Sequence, residues 1–91
     1  MNKKFEEELL DVFKKASAKP ELLREFLLDI LTPVEYKEIV TRWQIVKRLD
    51  KGEAQRAIAK DLKIGIATVT RGSRELSNPN GGFARLVKKS K

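Results

Sequence analysis

The 91-residue chain predicts an all-α domain that contains a helix-turn-helix unit. Three observations carry that expectation. Apolar residues recur at three- and four-residue spacing along most of the chain, no segment alternates with the two-residue period of a strand, and all three prolines stand at the edges of the periodic segments. In the first segment Phe5, Leu9, Val12, Phe13 and Ala16 share a face between interleaved Lys and Glu residues, which makes an amphipathic helix. Pro20 suits a first helical position, where no N–H is needed. It opens a second helix to Leu31, whose stripe of Leu22, Leu23, Phe26, Leu27 and Ile30 is broad for so short an element. The third helix opens at Thr32-Pro33-Val34-Glu35, with Thr32 as N-cap, Pro33 at the first position and Glu35 placed to close a capping box. Its inward face reads Tyr36, Ile39, Val40, Trp43, Val46 and Leu49, and Gly52 gives it a left-handed stop after Lys51.

Ala54, Ile58 and Leu62 mark a short fourth helix, Lys63-Ile64-Gly65 a break, and a fifth helix runs from Ile66 with Val69 and Leu76 inward. Ser77-Asn78-Pro79-Asn80-Gly81-Gly82 cannot continue it, since it combines a proline and a glycine pair with polar residues. Phe83, Leu86 and Val87 anchor a last short helix before a basic tail, Lys88-Lys89-Ser90-Lys91. The expected organisation is a helical dimerisation core over 1–52, a helix-turn-helix unit over 53–77 and a C-terminal helix and tail over 78–91, all within one domain.

Composition narrows the function. With no Cys and no His, thiolate nucleophiles, disulfides, Cys/His zinc sites and imidazole acid–base chemistry are excluded. The carboxylates Asp29, Glu35, Glu38 and Glu53 show neither pairing nor metal-ligand spacing, so neither an enzyme nor a metal site is expected. No 18-residue apolar run and no signal peptide stands in the sequence, which leads to the expectation of a cytoplasmic protein away from membranes. So short a chain buries a small share of its surface, and its dense apolar faces call for a second copy, a homodimer. Charge is uneven: residues 1–52 carry eleven Lys/Arg against ten Asp/Glu, whereas residues 53–91 carry nine against three, net +6. The expected partner of that second segment is a polyanion.

Gln55 to Arg71 meets the requirements of a helix-turn-helix. Ala59 is small where the second helix crosses the first, Ile58, Leu62, Ile64 and Val69 lock the pair, and the second helix opens on short side chains. Gly65, Ile66, Ala67 and Thr68 let that helix approach base edges in a major groove about 12 Å wide, where Ala and Thr meet the thymine methyl. Thr68, Thr70 and Arg71 add phosphate or base hydrogen bonds, and Gln55, Arg56 and Lys60 reach the backbone from the first helix. Lys63 stands where such turns usually carry a left-handed Gly, at a cost of roughly 1 kcal/mol.

The run Leu31-Thr32-Pro33, then Thr41-Arg42, Ile45-Val46, Gly52-Glu53, Gln55-Arg56, and above all Gly65-Ile66-Ala67-Thr68-Val69-Thr70-Arg71-Gly72-Ser73, resembles the bacterial Trp repressor family over residues 5 to 77. That resemblance implies an intertwined all-α homodimer that binds palindromic double-stranded operator DNA when L-tryptophan, as corepressor, occupies a pocket between the core and the helix-turn-helix. It implies that Arg42 and Arg71 sandwich the indole ring, a task suited to planar guanidinium groups. It also implies that Thr32 hydrogen-bonds the ligand carboxylate and that Val46, Thr68 and Gly72 line the pocket. Taken without the resemblance, Thr32 reads as a plain N-cap, Arg42 as a solvated helix arginine and Arg71 as a phosphate contact.

Three features depart from the family pattern. Glu75 holds the place of the serine that contacts the ligand ammonium, and it can pair with that ammonium or reach Arg71 or Arg42 and fill the pocket. The connection after Gly52 lacks the hydroxyl residue that would cap the fourth helix before Gln55. The stretch after Ser77 does not follow the family's helical C-terminus, and with little chain before Phe5 no arm-mediated DNA contact is expected. The leading expectation is a tryptophan-responsive repressor. The alternatives are a ligand-independent helix-turn-helix regulator with its pocket closed by Glu75, and a helical interaction module.

Overall fold

The computed structural model describes residues 1–90, so Lys91, the end of the basic tail, lies outside the described residues. Among those residues there are six helices and no strand: α1 Lys3–Ala16, α2 Pro20–Ile30, α3 Pro33–Asp50, α4 Gln55–Leu62, α5 Ile66–Leu76 and α6 Gly82–Lys89. The chain falls into two compact units, Met1–Lys37 and a second that begins at Glu38. This division follows packing, whereas the 1–52, 53–77 and 78–91 division follows expected task; α3 is continuous through the boundary because nothing in it breaks the backbone ladder.

In the first unit α1 starts two residues before Phe5, because the Asn2 side chain accepts from the N–H groups of Lys4 (2.9 Å) and Phe5 (3.3 Å). Pro20 opens α2 as expected. The two helices meet through an edge-to-face pair of Phe13 and Phe26, with centroids 5.1 Å apart. Ala16 is the one buried residue of this unit. Phe13, Leu23, Phe26 and Leu27 are half-buried, and the remainder of the apolar stripe stays open, with Phe5 at 71% and Leu22 at 50% exposure. At the head of α3 the capping box forms in both directions: the Thr32 N–H donates to Glu35 Oε1 at 2.8 Å and the Glu35 N–H to Thr32 Oγ1 at 3.2 Å. The Thr32 backbone N–H, and next its hydroxyl, hold the Glu35 carboxyl below the usual carboxylate range.

The second unit has a closed core. Ile45 of α3, Ile58 and Ala59 of α4 and Val69 of α5 form a buried cluster, with Leu49, Leu62 and Ile64 packed around it. Helices α3 and α4 end in the same way. Gly52 has φ 86°, its N–H donates to Leu49 O at 2.9 Å, and the Glu53 N–H donates to Arg48 O at 3.2 Å. Lys63 has φ 57°, its N–H donates to Lys60 O at 3.3 Å, and the Ile64 N–H donates to Ala59 O at 3.0 Å. Lysine thus takes the left-handed position that the sequence leads one to expect, and Ile64, placed on the core by that turn, offsets the backbone cost.

The connection between α3 and α4 is held from outside. Arg48 Nε and Nη2 both reach Glu53 Oε1 at 2.8 Å, and Nη1 pairs with Asp61 Oδ2. One guanidinium, half-buried and pinned more firmly to its proton by Glu53 and then Asp61, spans the connection and the last turn of α4. Helix α4 begins at Gln55 with Ala54 as a cap that offers no side-chain hydrogen bond, so the connection is held by the Arg48 clamp and not by an N-cap.

Candidate nucleic-acid interface and adjoining cavity

Helices α4 and α5 are joined by Lys63-Ile64-Gly65, and their buried contact is Ile58, Ala59 and Val69. With those three inside, one face of each helix is left to solvent, while Gly72, Ser73 and Leu76 of α5 are half-buried. Arg56, Lys60, Gly65, Ile66, Ala67, Thr68, Thr70 and Arg71 are all exposed, and Gln55 is half-buried. The start of α5 is capped by Gly65 without any side-chain hydrogen bond and has no acidic residue in its first turn. Its free N–H groups therefore keep their positive end toward solvent. Thr70, expected to offer its hydroxyl to a nucleic acid, donates it to Gln55 Oε1 at 2.9 Å. That bond ties the opening of α4 to the second turn of α5.

Beside this face the second unit forms an open cavity of about 560 Å³. Arg42 and Ile45 line it from α3, and Ala67, Thr68, Arg71, Gly72 and Glu75 line it from α5. Five of the seven residues expected to hold a ligand, Arg42, Thr68, Arg71, Gly72 and Glu75, therefore share one wall system although 33 positions separate the first from the last. Val46 is fully buried, and its neighbour Ile45 supplies the apolar lining at that turn of α3. Thr32 belongs to the first unit, exposed and engaged in the capping box.

Electrostatically the lining holds two cations and one anion. Arg42 reaches Glu38 at 3.9 Å, a long contact between half-exposed side chains that restrains it little. Among the described residues Glu75 forms no ion pair with Arg42 or Arg71, so the cavity stands open with its carboxylate on the wall. Gly72 has a packing role too: a Cβ there would come within 3.1 Å of Ile45 Cγ2, so glycine lets α5 lie close against α3.

Three lining residues, Gly81, Gly82 and Phe83, were not expected. They come from the start of α6, after a turn in which the Gly81 N–H donates to Asn78 O and the Asn80 N–H to Asn78 Oδ1, both at 3.0 Å. The Asn-Pro-Asn-Gly-Gly run signals that turn, but nothing local says that it returns the chain to α3 and α5.

A sequence profile described as Trp repressor protein matches residues 6–91. The chain is 43% identical over 74 residues to the Trp operon repressor homolog of Vibrio cholerae serotype O1, an overlap that covers 79% of this chain and 70% of that protein. With the Trp operon repressor homolog of Vibrio atlanticus (strain LGP32) it shares 42% identity over 72 residues, 77% of this chain and 71% of that protein. With that of Vibrio vulnificus (strain YJ016) it shares 52% over 48 residues, so there the match spans about half of each chain, 52% and 47%.

Proposed function

Since the chain belongs to the Trp repressor family, we propose that it is a transcriptional repressor that binds double-stranded operator DNA as a homodimer, with L-tryptophan as corepressor and no catalysis. The cavity carries the reading: it puts Arg42 of α3 and Arg71 of the exposed helix α5 on one wall system, with Glu75 and Gly72 beside them.

A flat aromatic amino acid entering there meets two guanidinium groups, which stack well on an indole face. A carboxylate at Glu75 complements the ligand ammonium, and Thr32 enters through the family resemblance as the contact for the ligand carboxylate. Lodged between α3 and α5, the ligand fixes the tilt of α5. That tilt decides whether two such helices, about 34 to 36 Å apart in a dimer, fit successive major grooves. Ala67 and Thr68 then face base edges through the α4–turn–α5 unit acting as a helix-turn-helix, while Arg56, Lys60 and Arg71 neutralise phosphates. The open apolar stripe of the first unit supports the dimer, since exposed large apolar patches mark association surfaces.

A second reading rests on the same Glu75: a regulator whose carboxylate bridges to an arginine in place of a ligand. Calorimetric titration with L-tryptophan, run with and without an operator selected from random duplexes, separates the two. Corepression predicts heat on titration and a DNA affinity raised about 5- to 150-fold, with the same factor appearing in ligand affinity when DNA is present. No heat and unchanged DNA binding at millimolar ligand leave the ligand-independent regulator. Failure to bind duplex DNA at moderate salt leaves the interaction module. Replacing Thr68 by Phe should erase preference for the selected site yet keep salt-sensitive, sequence-independent binding, because counterion release belongs to the cations.

A further inference from the structure

Among the wall residues with no part in the reading above are Gly82 and Phe83 in the first turn of α6. Glycine at 82 is not explained by the backbone, which is not left-handed there. Packing does not explain it either, because a Cβ at that position meets nothing within 4 Å. Gly82 is the first residue of α6, and its lack of a side chain leaves that position unfilled. Gly82 is exposed and lines the cavity beside Gly81 and Phe83. Phe83 is half-buried on the same wall and brings the one aromatic ring to a lining otherwise made of aliphatic, charged and small residues.

We propose that the first turn of α6 is the third wall of the ligand site, with Phe83 touching the ring edge of a bound aromatic amino acid and Gly82 leaving the volume which that ring occupies. The proposal rests on the reading of the cavity as the corepressor site. A ring stacked on guanidinium planes turns its faces to Arg42 and Arg71 and its edge to whatever stands at the side. An aromatic edge against an aromatic face is the favoured T-shaped geometry, and a cavity of about 560 Å³ has room for it. The same contact makes Phe83 a specificity residue: an aliphatic amino acid of equal charge satisfies the polar groups but forfeits this one. It also joins α6 to ligand occupancy, since the Asn78 turn sets where the first turn of α6 stands.

The test is calorimetry of the full chain with L-tryptophan and with L-leucine, using the unaltered protein, Phe83→Ala, Phe83→Leu, Gly82→Leu and, as a control on the exposed side of α6, Leu86→Ala. Thermal unfolding without ligand reports the folding of each variant. Phe83→Ala should weaken tryptophan binding about tenfold and Phe83→Leu a few-fold. Gly82→Leu should abolish measurable heat while its unfolding stays that of the parent, and Leu86→Ala should bind as the parent does. Equal tryptophan affinity in the parent and Gly82→Leu overturns the third wall and leaves the corepressor reading standing; so does equal affinity in a folded Phe83→Ala. A parent that shows no heat overturns both. Should Phe83→Ala fail to fold, Gly82→Leu decides alone.

Discussion

Met1–Lys37 and the unit that begins at Glu38 use apolar residues in opposite ways. The first carries amphipathic helices but buries only Ala16, leaving Phe5, Leu22, Leu28 and Ile30 among the exposed side chains. The second closes on itself around Ile45, Ile58 and Val69, each at most 1% exposed, and turns cations outward together with Ile39, Val40, Ile66 and Leu86. The first stripe is covered only around Phe13 and Phe26, whereas the core of the second unit is closed. The difference teaches that helical periodicity reports a face to be covered without saying which chain covers it.

The largest effect expected on that contrast comes from the closed core. Ile58→Ala removes a side chain from the centre of a filled cluster and should lower stability by about 2 to 5 kcal/mol, read as a fall in the urea midpoint. The contrast fails if the loss is as small as that from truncating exposed Leu22 to Ala.

Next, Leu22→Glu should leave the core of the second unit intact and abolish dimerisation. Sedimentation at tens of micromolar would report a monomer, and the unfolding midpoint would lose the dependence on protein concentration that the proposed dimer predicts for the parent. A variant that sediments as the parent does would place the dimer surface elsewhere.

Smaller still is the effect at the two helix stops. Gly52 and Lys63 perform the same left-handed closure, but only lysine carries a Cβ into it. Lys63→Gly should therefore stabilise the second unit by about 1 kcal/mol at most, visible as a modest rise in thermal midpoint. A fall would mean that the lysine side chain contributes more than its backbone costs.

The smallest effect belongs to the head of α3. The Glu35 carboxyl has a folded-state pKa below its unfolded value, so its contribution is complete above the unfolded pKa of about 4.3 and is lost as pH falls through the folded one. The stability advantage of the parent over Glu35→Ala at about pH 6 should shrink as the pH is lowered below the unfolded pKa. An advantage that persists in acid would show that the carboxylate plays no part in the cap.

Whatever depends on a few neighbouring residues was legible in the linear chain. Pro20 and Pro33 mark helix starts, Thr32 and Glu35 form the capping box, Gly52 ends α3, and Lys63 takes the left-handed turn, because caps and stops are hydrogen bonds between residues at most five apart. The arginines, Thr68, Gly72 and Glu75 of the cavity were legible for a different reason, the resemblance carried by Gly65 to Ser73. Arg48 gave no such signal: one more arginine on a helix looks like any solvated cation, and only the fold brings Glu53 and Asp61 to it. The choice of Ile45 over Val46 as cavity lining depends on the rotation of α3 against α5, which the close approach at Gly72 sets. Phe83 looked like an anchor for a short helix and became a cavity wall because the Asn78 turn carries α6 back toward α3. The sequence by itself thus determined the helices, their ends and the family, which short-range hydrogen bonds and a contiguous motif encode. Tertiary structure alone decided the clamp, the third wall and which apolar faces close within the chain, because each joins groups far apart in sequence whose meeting depends on how whole helices pack.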